Sequence, residues 1–168
     1  MPPACAEGAR VGRGNRFVGI MAIAVAALVL NAPLAVASVT GPDRSGVIVV
    51  SNDRGGLVRR RAARIDRIRA AGQRVEIRGR ICFSSCTMYL GLPDTCVSPR
   101  TSFGFHGPSY YGARLSPSDF EYWSKVIASH YPEPLRSWYM RKGRTRIVSY
   151  FRLSGRDLIR MGIRQCGA

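Results

Sequence analysis

VIVVSNDRGGLVRRRAARIDRIRAAGQRVEIRGRICFSSC, residues 47–86, changes its apolar periodicity three times within forty residues. Val47 to Val50 is a short unbroken apolar run, the pattern of a strand buried on both faces. Ser51-Asn52-Asp53-Arg54-Gly55-Gly56 is then a polar turn, where glycine permits backbone conformations that other residues resist. From Leu57 to about Ala71 the spacing is helical: Val58, Ala62, Ile65 and Ile68 form one stripe, and Arg59, Arg60, Arg61, Arg64, Arg67 and Arg69 surround it. Gly72 ends that helix, and Val75, Ile77 and Ile81 alternate as a second strand leading into Ser84. Strand, Gly-rich turn, helix, strand is a βαβ unit, which predicts an α/β domain with a parallel sheet.

Beyond this unit the elements shorten. A short helix from Ser84 to about Leu90 sets the serine at its amino end, where free N–H groups and the helix dipole favour an anion. Thr95 to Val97 and Thr101 to His106 are expected as strands around Pro99. Ser116-Pro117-Ser118-Asp119 supplies an N-cap, a first-turn proline and an acid, opening a helix that carries Phe120, Trp123 and Ile127. Pro132 and Pro134 end it and begin another with Leu135, Trp138 and Tyr139; Ser154-Gly155-Arg156-Asp157 caps a last short helix.

Three pieces of this chain suit acyl transfer and occur in order. Gly55-Gly56 is an oxyanion-binding type of turn, Ser84 in Cys82-Phe83-Ser84-Ser85-Cys86 is a candidate nucleophile, and His106 in Gly104-Phe105-His106-Gly107 is a candidate base. Ser85 competes with Ser84, Ser84 also suits a plain N-cap, and His106 also suits a hydrogen-bonded strand histidine. His130, just before Pro132, reads as a helix C-cap. The Cys82 to Cys86 spacing fits neither a zinc site nor a Cys-x-x-Cys redox motif, and no cofactor-binding motif is present.

Residues 1–37 read as a signal peptide: Arg10, Arg13 and Arg16, an apolar stretch from Phe17 to Leu30, then Ala35-Val36-Ala37 as a small-x-small cleavage pattern. The alternative is an uncleaved anchor over residues 17–37. Cleavage leaves residues 38–168, 131 residues with 23 basic and 9 acidic side chains, sufficient for a single domain in the periplasm or outside the cell. Export argues against nucleic acid as a partner; anionic lipid or acidic polymer, met by Arg59, Arg60, Arg61, Arg64 and Arg67, suits the charge better. The mature chain holds Cys82, Cys86, Cys96 and Cys166, which allow three pairings or buried thiols. Cys82 with Cys86 and Cys96 with Cys166 is the expected pairing, since the first brackets a tight turn and the second ties the C-terminal tail to the core.

Ser51 to Gly56, Cys82 to Cys86, Pro99 and Gly104-Phe105-His106 together resemble the ClpP/crotonase superfamily, and most of all the exported ClpP-like proteins of bacteria. In that group a Gly-Gly turn follows a strand, a CxSxC run holds the serine, and a proline leads to a strand ending in histidine. Leu153-Ser154-Gly155 through Ile163 also resembles the family's closing helix. The resemblance implies a serine hydrolase, a peptidase by class, in which Ser84 attacks, His106 moves the proton, and backbone N–H groups of Gly55, Gly56 and Ser85 hold the oxyanion. Such peptidases usually carry an acid that orients the histidine; matched here, its place falls on Ser149 or Tyr150, with Asp157, Asp119 and Glu121 as substitutes in space. Residues 38–46 are too few for the elements that normally precede the Gly-Gly turn, which implies a truncated sheet with an edge open to a partner chain, as in a homo-oligomer. The alternative of a different class is a non-catalytic ClpP-like scaffold or cationic binding module that keeps the turn geometry.

Overall fold

The crossover written in residues 47–86 forms. In the computed structural model, which describes residues 46–167, β1 (Val47–Asp53) runs parallel to β2 (Arg74–Phe83), and α1 (Val58–Ala70) joins them. The signal peptide or anchor expected at 1–37 lies outside the described residues. Helix α1 buries Ile65 and Ile68 and rests Val58 and Ala62 against the same core, the stripe its spacing dictates.

Strand β2 is the spine of a five-stranded sheet. Its first half pairs with β3 (Thr95–Val97) and its last residues with β4 (Ser102–Phe105), both parallel, so β3 and β4 are one lane interrupted around Pro99. After β4 the chain forms α2 (Pro117–Ala128) and α3 (Leu135–Arg141) and returns as β5 (Phe151–Ser154), antiparallel to β4. The sheet is therefore mixed: the expected parallel pairing holds from β1 to β4, and β5 adds an antiparallel strand. The cause is where the chain waits: Tyr139 on α3 hydrogen-bonds the carbonyl of His106, and the Gly107 N–H donates to Arg146, so β5 starts at the end where β4 stopped. A strand entering there runs backwards without needing a crossover.

One correction concerns β1. It is an edge of the sheet, and while Ile48 and Val50 face the core, Val47 and Val49 are 38% and 55% exposed. Its unbroken apolar run does not mean burial on both faces. Between Val50 and Asn52 the β1/β2 register slips. There the two backbones touch so closely that a Cβ on Gly79 would fall 0.7 Å from the Ser51 carbonyl oxygen, and the Asn52 side chain accepts from the N–H groups of Arg80 and Ile81.

Helix α4 (Gly155–Arg160) begins with a capping box between Ser154 and Asp157. The tail then runs beside β3, with Cys166 N–H donating to Val97 and a Cys96–Cys166 disulfide beside that bond. Cys82 and Cys86 form the other disulfide. Two disulfides suit an oxidising compartment. Among the described residues no helix is long and apolar enough to cross a membrane. Tyr131, Tyr139, Phe103 and Phe105 are among the largest fully buried side chains, with Phe105, Tyr131 and Tyr139 meeting edge to face under the carboxyl end of β4. Burial of each such side chain contributes roughly 1.5–3 kcal/mol.

Candidate active site

Parallel pairing explains why residues 22 apart in sequence meet. Phe83 is in register with Gly104, so Ser84 and His106 both lie just beyond the carboxyl ends of neighbouring strands. The Ser84 hydroxyl is 2.7 Å from His106 Nε2. Ser84 takes a φ of +54°, a left-handed conformation that is costly for a residue with a Cβ. The turn is held by the Cys82–Cys86 bridge around it and by the Thr87 hydroxyl, which donates to the Ser84 carbonyl. Ser85, which competes with Ser84 in the sequence, is 3% exposed, and its hydroxyl is buried without a hydrogen-bond partner. The helix that follows, Ser84–Gly91, is a 3₁₀ helix.

Burial holds the His106 pKa below the usual imidazole value, opposed in part by the backbone of Gly107. The ring is thus neutral at pH 7, and Nε2 is free to accept the serine proton when the hydrogen resides on Nδ1. Nδ1 is buried and has no hydrogen-bond partner. In place of an acid the imidazole meets the Tyr150 ring in a T-shaped contact, centroids 5.2 Å apart, and Tyr150 in turn packs on Phe83. The substitute acids are engaged elsewhere: Asp157 with Ser154 and Arg160, Asp119 with Ser116, and Glu121 with Arg144 and Lys125.

The Gly55-Gly56 turn sits against the serine. A Cβ on Gly55, whose φ is +95°, would lie 2.5 Å from the Ser84 Cβ, so glycine is required there for approach. Its N–H donates to Asp53 Oδ1 at 2.7 Å, so of the donors expected for an oxyanion this one is already engaged. The neighbouring Gly56 N–H makes no hydrogen bond among the described residues, and a Cβ added there would meet no atom within 4 Å. The Ser85 N–H, in the first turn of the 3₁₀ helix, has no intrahelical acceptor, and Gly56 and Ser85 both line the cavity beside Ser84.

Asp53 carries a second bond, from Arg61 at 2.6 Å, and the Arg61 guanidinium lies 4.5 Å from the centre of the Tyr89 ring. Arg61 is only 9% exposed, so this arginine is a clamp between the glycine turn and the helix behind Ser84 and does not belong to an anion-docking face. Arg60, Arg64 and Arg67 remain exposed. Arg59 is exposed too, with its guanidinium over Trp123. The His130 Nδ1 lies 2.9 Å from the Val126 carbonyl at the end of α2, the capping position expected for it.

Ser84 and His106 open into a cavity of about 740 Å³ whose wall includes Gly56, Leu57, Trp123, Tyr131 and Tyr150. Asp53 and the cavity aromatics were not legible as site residues, and Arg61 and Tyr150 were named only for an anion contact and for the place of an acid, although an Asp two positions before a turn glycine is a known side-chain-to-backbone signal. Among the described residues no cluster of His, Cys, Asp or Glu is arranged to hold a metal ion. No protein-family model matches the chain, and no curated protein is similar enough to count as a match.

Proposed function

We propose that this protein is an exported serine hydrolase of ClpP-like type, acting as a peptidase. The observation that carries it is the 2.7 Å contact between the Ser84 hydroxyl and His106 Nε2 at the mouth of the cavity. Ser84 attacks a carbonyl carbon while His106 takes the hydroxyl proton; the C–N bond breaks as His106 returns that proton to the leaving amine. Water then attacks the acyl-serine, with the same imidazole as base. The Gly56 and Ser85 N–H groups stabilise the oxyanion, and losing one such donor typically costs about 10²- to 10³-fold in rate. Without an orienting acid the pair works as a diad, held by Tyr150 and by the Tyr139 bond to the histidine backbone. The disulfides suit export.

The unpartnered Nδ1 and the occupied Gly55 N–H favour a second reading, a non-catalytic ClpP-like scaffold or cationic module that meets anionic lipid or acidic polymer through Arg60, Arg64 and Arg67. The exposed edge of β1 would suit pairing with a second copy. A fluorophosphonate probe separates the two readings. Wild-type protein is expected to gain one adduct, mapped to Ser84 by mass spectrometry, and the Ser84→Ala variant none. No adduct between pH 6 and 9 would leave the scaffold reading.

A further inference from the structure

The cavity beside Ser84 has a chemistry of its own. At about 740 Å³ it is in the size range of ligand sites, and Leu57, Leu115, Trp123, Ile127 and Tyr131 give it an apolar, aromatic wall, with Tyr110 exposed at its rim. Its charged lining residues are Arg54 and Arg59; no Asp or Glu lines it. Neither arginine has an acidic partner among the described residues, although six other ion pairs form in a chain with few acids to share. Arg54 immediately precedes the glycine that abuts Ser84, and the Arg59 guanidinium lies 5.2 Å from the centre of the Trp123 ring, which orients it while leaving its edge donors available.

We infer that the site takes anionic acyl donors, in which an aromatic or long aliphatic side chain fills the Trp123 and Tyr131 pocket and a nearby carboxylate engages Arg54 and Arg59. The inference rests on the hydrolase reading for its chemistry, and on the cavity alone for its ligand. The apolar wall and the two lining arginines act on different parts of one ligand, so each selects independently. A cationic side chain finds no carboxylate to pair with and two like charges nearby, which rejects it. The ester form of the reaction balances simply: Ser84 Oγ bonds to the carbonyl carbon, the alcohol leaves with the proton carried by His106, and water releases the acid and restores the serine.

The test compares 4-nitrophenyl esters of N-succinyl-phenylalanine, N-acetyl-phenylalanine and N-acetyl-lysine by kcat/KM, alongside calorimetric binding of N-succinyl- and N-acetyl-phenylalaninamide to the Ser84→Ala variant. The succinyl ester is expected to exceed the acetyl ester by about tenfold or more, as a charge-assisted contact would give. That preference should vanish in Arg54→Ala/Arg59→Ala, persist in Arg54→Lys/Arg59→Lys, and shrink at high salt. If the double alanine variant does not fold, the lysine variant and the wild-type salt dependence carry the decision. Fluorophosphonate labelling with equal rates for all three esters overturns the inference and leaves the hydrolase. Tighter succinyl binding without labelling or turnover overturns the hydrolase and leaves the anionic, apolar ligand. Equal binding of the two amides with no turnover overturns both.

Discussion

The two halves of the candidate site are secured by different forces. On the serine side the backbone is fixed by a disulfide around Ser84, by the Thr87 bond to its carbonyl, and by the ion-paired Asp53–Arg61 clamp on the Gly55-Gly56 turn. On the histidine side the imidazole has one side-chain hydrogen bond, to Ser84, feels the Gly107 backbone only weakly, and is otherwise confined by Tyr150 and by a bond to its main chain from Tyr139. Covalent and charge-assisted restraints tolerate strain such as the left-handed Ser84. Aromatic packing fixes where a ring sits but does little to fix which nitrogen holds the proton. The difference locates the weak point of a diad at its base.

Substitutions can break that contrast, beginning with the base itself. His106→Ala should lower the rate of Ser84 labelling by about 10²- to 10⁴-fold, the worth of a positioned general base, while thermal unfolding shows the fold retained. A labelling rate equal to wild type would mean that the imidazole takes no part in activating the serine. Next in size, Asp53→Asn or Arg61→Ala should cost about 2–3 kcal/mol in denaturant unfolding, since each strands a largely desolvated partner. The double variant should cost less than the sum of the two. Strict additivity would show that the clamp is not a unit.

The smallest effect sharpens the histidine side. Burial penalises the charged imidazole, so in wild-type protein the labelling rate should be flat above neutrality and fall through a midpoint below the ordinary value of 6.5 as His106 gains a proton. Tyr150→Leu opens the ring to water; the midpoint should rise toward 6.5 and the plateau should drop by about tenfold or less as orientation loosens. The same burial has a stability consequence with the same sign: the unfolded chain protonates this histidine first, so the contribution of its neutral form is present above about pH 6.5 and is lost as pH falls through the lower folded value. An unchanged midpoint in Tyr150→Leu would assign the depressed pKa to another neighbour.

Much of the scaffold was legible because it is written in local patterns. The α1 stripe and the caps at Ser116 and Ser154 follow from residues close in sequence, and the two disulfides are the expected pairing out of the three that four cysteines allow. Arg61 shows where such reading stops. It sits in a run of identical charges, Arg59-Arg60-Arg61, and nothing in that run marks the one residue that turns inward. Its fate depends on Asp53 being across the turn and Tyr89 beneath, partners that no helical periodicity reveals. The edge position of β1 was hidden likewise, because four consecutive apolar residues look alike whether one face or both are covered.

The order of strand, glycine turn, helix, serine and histidine was determined by the sequence alone, because short-range backbone preferences and apolar spacing act within a few residues. Only the tertiary structure decided which groups meet: the parallel register that sets Ser84 against His106, the carboxylate that takes the Gly55 N–H, and the tyrosine ring where an acid was expected. Those contacts span from two to forty-four residues, and the longer ones exist because chain packing, which no local pattern encodes, closes the loops between them.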